Sequence, residues 1–74
     1  MPHASGENAP RERAPRLGVV GAGGLGYHHV RILRDLPGVR FAGFYEQHVP
    51  RREQVAAELG VPAFDSLDAL LDAV

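Results

Sequence analysis

Apolar and polar positions along the chain follow two alternating periods. Residues 17–20, Leu-Gly-Val-Val, are a short apolar run leading straight into glycines, the mark of a buried strand. Over 23–36 the period is that of a helix, with Leu25, His29, Ile32, Leu33 and Leu36 on one face and Arg31, Arg34 and Asp35 off it. Pro37-Gly38 stops that helix. Residues 39–45 read as a second buried strand, with Phe41, Phe44 and Tyr45 supplying bulk. A second helix is expected from Pro50, a residue suited to a first turn, to Leu59 ahead of Gly60. Residues 61–64 form the third strand signal, and Pro62 restricts it to a sheet edge or a strand start. Ser66 is placed to cap a last helix over 67–74, whose Leu67, Leu70, Leu71 and Val74 share a face. The order β-α-β-α-β-α with short connections predicts an α/β fold on a parallel three-stranded sheet, because parallel neighbours need crossovers and helices supply them.

Residues 1–15 depart from this pattern. They hold three of the six prolines and almost no large apolar side chain. A disordered tail is expected there, ahead of a folded unit over 16–74. Arg11, Arg13 and Arg16 make at most a weak anion-attracting spot on it. At 74 residues and 8.0 kDa the chain is half of an ordinary domain, and chains this short bury only about 60 % of their unfolded surface. It has no cysteine, which removes disulfides and thiol chemistry, and all eight basic residues are arginine. A net charge of −1 argues against nucleic acid or an anionic membrane as partner. Apolar runs fall far short of the roughly 20 residues that cross a bilayer. The first residues lack the apolar stretch of a secretory signal, so a cytoplasmic location is expected.

The chemistry lies in Gly21-Ala22-Gly23-Gly24-Leu25-Gly26, a G-x-G-x-x-G sequence that closes a predicted strand and opens a predicted helix. In that context Gly21 allows the tight turn, Gly23 lets backbone approach a pyrophosphate, and Gly26 lets the helix lie close on the sheet. The free N–H groups around Gly24 and Leu25, with the helix dipole, then hold the phosphates. Glu46 ends the second strand, twenty positions beyond Gly26. A carboxylate there accepts hydrogen bonds from ribose hydroxyls and repels a 2′-phosphate, favouring NAD over NADP. Arg51 and Arg52 pull the other way, since guanidinium is a good phosphate partner. A solvated first helical turn is the better reading for both, with Arg51 retained as a candidate cofactor contact. His28 and His29 point about 100° apart on a helix and do not share an ion; His29 is expected to pack within the apolar stripe. No metal site and no catalytic residue is predicted.

Residues 16–74 resemble the opening of the Gfo/Idh/MocA oxidoreductase family. The resemblance rests on Gly21, Gly23, Gly26 and His29, then Leu36-Pro37-Gly38-Val39, Glu46, Ala57-Glu58-Leu59-Gly60-Val61 and Ser66-Leu67. It implies the first part of a Rossmann domain that binds NAD(P), in an enzyme moving hydride between nicotinamide and a sugar, nucleotide sugar or cyclitol. Within the family, Gly-Tyr-His-His-Val-Arg and Gly-Phe-Tyr-Glu are similar to dehydrogenases of UDP-N-acetylglucosamine. The family commonly has Asp-Pro where His48 and Val49 stand, which leaves the second helix with a poorer cap. The resemblance also implies a catalytic lysine and a substrate domain that this chain lacks. A fragment of a longer enzyme is therefore expected, its partner the missing C-terminal part, with the first strand as a bare sheet edge. The alternative is a stand-alone nucleotide-binding regulatory module in which a homodimer covers that edge.

Overall fold

The computed structural model describes residues 13–74. Three strands and three helices alternate: β1 (Arg16–Val20), α1 (Gly24–Asp35), β2 (Arg40–Tyr45), α2 (Val49–Leu59), β3 (Ala63–Phe64) and α3 (Leu67–Ala73). The sheet is parallel throughout, in the order β1-β2-β3. Of the expected tail, residues 1–12 lie outside the described residues. The next few are anchored: Ala14 is buried, and the Pro15 carbonyl accepts from the Arg40 N–H at 2.8 Å.

Side chains alternate across the sheet. Val19 and Phe44 form one face and join Ala22, Val30 of α1, Val55 and Leu59 of α2, and Val61 in a single apolar cluster. Gly18 belongs to the other face, where a methyl group would lie 2.7 Å from Leu70 Cδ1; α3 packs there. The ladder between β1 and β2 skips Ala42, so that Gly18 pairs with Gly43. Gly43 has φ 141°, and a side chain on it would run into the Pro62 carbonyl and the Phe64 ring. Hydrogen bonds join α1 to α2, the Tyr27 hydroxyl donating to Glu58 at 2.6 Å and Arg34 donating to the Leu59 carbonyl at 3.0 Å.

Four expectations from the sequence need correcting. α1 does not bury the stripe through Leu25, His29, Ile32 and Leu36, which are all exposed; it buries Val30, with Tyr27 and Leu33 half-buried beside it. The cause is Gly26, which must face the Gly21 carbonyl and turns the helix accordingly. On α3 only Leu70 is buried, while Leu67, Leu71 and Val74 remain exposed. β3 is two residues long, because Pro62 has no N–H to donate, although its carbonyl accepts from Phe44 at 3.1 Å. Arg51 and Arg52 are not solvated: both are half-buried and bonded at the mouth of the sheet. The caps otherwise follow the sequence. Ser66 Oγ accepts from the Ala69 N–H at 3.1 Å, Gly60 closes α2 in the left-handed conformation, and His48 caps α2 without any side-chain bond.

Candidate functional site

The carboxyl ends of β1 and β2 and the amino end of α1 meet at residues 21–26 and 46. Gly21 continues the ladder, its N–H donating to the Tyr45 carbonyl at 2.7 Å, and then turns with φ 89°. A methyl group on Gly26 would sit inside van der Waals contact with the Gly21 carbonyl oxygen. The first turn of α1 is therefore pressed against the turn that precedes it. Gly23 and Gly24 are the reverse case: nothing lies within 4 Å of where their side chains would begin. Gly23 caps α1 with no side-chain hydrogen bond and no acidic residue in the first turn. The positive end of the helix dipole thus opens into free space beside Gly23, Gly24 and Leu25.

Glu46 lies directly behind this opening. Its Oε1 accepts from the Ala22 N–H at 2.6 Å and its Oε2 from the His48 N–H at 2.9 Å. These two backbone donors, Ala22 foremost, hold its carboxyl below the usual carboxylate value of 4.5, and His48 and Arg51 add a smaller pull the same way. The protonation linkage has a definite sign. A carboxyl with a depressed folded-state pKa contributes stability that is present above its unfolded value and lost as pH falls through the folded one. Thermal melts are therefore expected to weaken more steeply below about pH 4.5 for the natural chain than for Glu46→Gln, which cannot titrate. Parallel pH profiles of the two would mean that the Glu46 bonds do not persist in solution.

Arg51 faces the same turn from α2. Its Nε donates to the Ala22 carbonyl at 2.9 Å, one terminal nitrogen donates to Gln54 Oε1 at 3.1 Å, and the guanidinium lies 5.5 Å from the centre of the Tyr27 ring. Arg52 is turned away, donating to the Glu46 carbonyl at 3.2 Å, stacking over Tyr45 and approaching Asp65 at 3.8 Å. The Tyr27 hydroxyl is raised above its ordinary 10.0 chiefly by its hydrogen bond to Glu58.

The structure thus gathers Gly21, Gly23, Gly24, Leu25, Gly26, Glu46 and Arg51 at one end of the sheet. The sequence reading passed over Ala22, whose methyl group is fully buried and whose N–H and carbonyl are both claimed. Its only signal was a small residue between two glycines. Tyr27 and Gln54, which flank Arg51, were also missed; nothing in periodicity marks them. Among the described residues no group of His, Asp or Glu could hold a metal ion, and no helix is long and apolar enough to cross a membrane.

A family model described as an oxidoreductase family with an NAD-binding Rossmann fold matches residues 15–74. UDP-N-acetylglucosamine 3-dehydrogenase of Acidithiobacillus ferrooxidans is 41% identical over 56 residues, which are 76% of this chain and 17% of that enzyme. A solved structure of UDP-N-acetylglucosamine 3-dehydrogenase from that organism superposes with a TM-score of 0.70 at 41% identity, covering 80% of this chain and 19% of that one. The chain therefore spans less than a fifth of the length of these relatives. An uncapped helix start beside Gly23 and Gly24, a carboxylate at the end of the second strand and a family match over nearly all of the described residues agree: the chain belongs to the Gfo/Idh/MocA oxidoreductase family, in its NAD-binding Rossmann fold.

Proposed function

We propose that this chain is the adenosine- and phosphate-binding part of a nucleotide-sugar dehydrogenase and that it takes NAD in preference to NADP. The observation that carries the reading is the open, uncapped start of α1 at Gly23 and Gly24, with the Glu46 carboxylate fixed on the adjoining turn. The pyrophosphate fits where a side chain on Gly23 would stand, against the N–H groups of Gly23, Gly24 and Leu25 at the uncapped helix start. Glu46 retains lone pairs beyond those given to Ala22 and His48, enough to accept from ribose hydroxyls. When bound, the nicotinamide supplies hydride transfer; the residues here bind and orient the dinucleotide, and the chain has no lysine to serve as acid or base. The similar Acidithiobacillus ferrooxidans enzyme is a UDP-N-acetylglucosamine 3-dehydrogenase, and a nucleotide sugar is the substrate class we infer for the enzyme to which this part belongs. A purely regulatory nucleotide-binding role gains no support from a family and a relative that are both oxidoreductases.

Titration of the natural chain and of Glu46→Ala with NAD and NADP tests the preference. Losing Glu46 loosens the turn for both cofactors, so their ratio isolates its effect on the 2′ position. NAD affinity is expected to fall about tenfold, the worth of one or two hydrogen bonds, while NADP falls less or improves. Equal losses would show that Glu46 only braces the turn. Failure of the natural chain to bind either cofactor saturably would remove the dinucleotide reading altogether.

A further inference from the structure

Two consecutive peptide groups of the glycine turn are held from outside it. The Gly21–Ala22 group is held through its N–H, which donates to Glu46, and the Ala22–Gly23 group through its carbonyl, which accepts from Arg51. In a trans peptide the carbonyl and the N–H point in opposite directions, and no cis peptide occurs here. With the Ala22 carbonyl aimed at Arg51, the Gly23 N–H is therefore aimed away from that guanidinium. The guanidinium is itself held in place by Gln54 and by the Tyr27 ring.

We propose that Arg51 is a positioning residue that orients the Ala22–Gly23 peptide, and with it the Gly23 N–H, for phosphate binding, and that it is not a ligand for a 2′-phosphate. The proposal rests on the dinucleotide reading for the identity of the phosphate, but not for the geometry. It assigns the guanidinium a task that a lysine cannot perform. The fixed Nε–H direction comes from a planar fork already anchored at a second nitrogen, whereas an ammonium is a flexible point charge.

The test uses the whole chain labelled with nitrogen-15, observed by amide NMR without ligand and then during titration with NAD and with NADP. Arg51→Ala is expected to shift the Ala22 and Gly23 amides before any ligand is added, while the amides of Val30 and Leu70 stay in place. It is then expected to weaken NAD and NADP by the same factor, about tenfold or more for one charged hydrogen bond. Arg51→Lys is expected to restore neither affinity, and Gln54→Ala to give a smaller loss in the same direction. Loss of NADP binding alone, restored by lysine, would overturn the proposal in favour of direct phosphate contact. Unmoved Ala22 and Gly23 amides would overturn it as well. If the natural chain binds neither cofactor, the dinucleotide reading falls, and the ligand-free amide shifts still decide whether Arg51 sets the turn.

Discussion

Gly26→Ala is expected to remove most of the stability of this chain. The added methyl group would overlap the Gly21 carbonyl oxygen and lie 2.8 Å from its carbon, and both are backbone atoms with no rotamer to retreat into. Alanine favours a helix over glycine by about 1 kcal/mol, which works against the prediction. Forcing an extra carbon into a packed contact costs about 1–3 kcal/mol where side chains can shift, and more where only backbone can. The clash therefore outweighs the propensity gain. Small single cores hold only a few kcal/mol to begin with, and each kcal/mol lost from a domain of this size lowers the melting temperature by about 4–8 °C. A fall of more than about 10 °C is expected by circular dichroism. Gly24→Ala provides the control, since position 24 lies in the same helix with nothing within 4 Å. That variant is expected to melt no lower than the natural chain. Equal melting of the two variants would show that α1 does not rest on the glycine turn in solution.

The same glycine explains what the sequence left hidden. Strand and helix order, the parallel sheet, the Ser66 cap and the turn ahead of α1 were all legible, because each has a local signature in period or residue type. The buried face of α1 was not. A hydrophobic pattern counts Leu25, Ile32 and Leu36 and counts Gly26 as nothing, yet Gly26 packs directly against the Gly21 carbonyl, and with that face turned inward the helix buries Val30. Gly18 plays the same part beneath α3, where it admits Leu70 and leaves Leu67 and Leu71 outside. The site was half legible for a related reason. Spacing alone put Glu46 beside the glycines, but its bond to the Ala22 N–H, and the pairing of the Ala22 carbonyl with Arg51, are contacts across 24 and 29 residues of chain. No local pattern encodes them. Arg51 and Arg52 are adjacent in sequence and alike in charge. One faces the turn and the other faces Asp65, just past β3, a difference set by the rotation between neighbouring helical positions.

Gly23→Val should show the opposite division of effects from Gly26→Ala: a nearly unchanged melt with dinucleotide binding weakened roughly a hundredfold. Gly23 has φ −69° and ψ −157°, extended backbone open to any residue, and a Cβ there would have no neighbour within 4 Å. The fold therefore has no reason to require glycine at this position, and a tight turn alone would tolerate valine. A ligand would not. The side chain would occupy the space in front of the free N–H groups at the start of α1, where the pyrophosphate is proposed to lie. Displacing it by even one carbon diameter breaks the hydrogen bonds and adds a steric penalty of about 3 kcal/mol, roughly a hundredfold in affinity. The measurement pairs a thermal melt with a titration of NAD on the same sample. Lost binding with an intact melt would mean that Gly23 is kept small for the ligand. Retained binding would mean that the phosphates lie elsewhere, and an early melt would mean that the space beside Gly23 is filled in the folded chain.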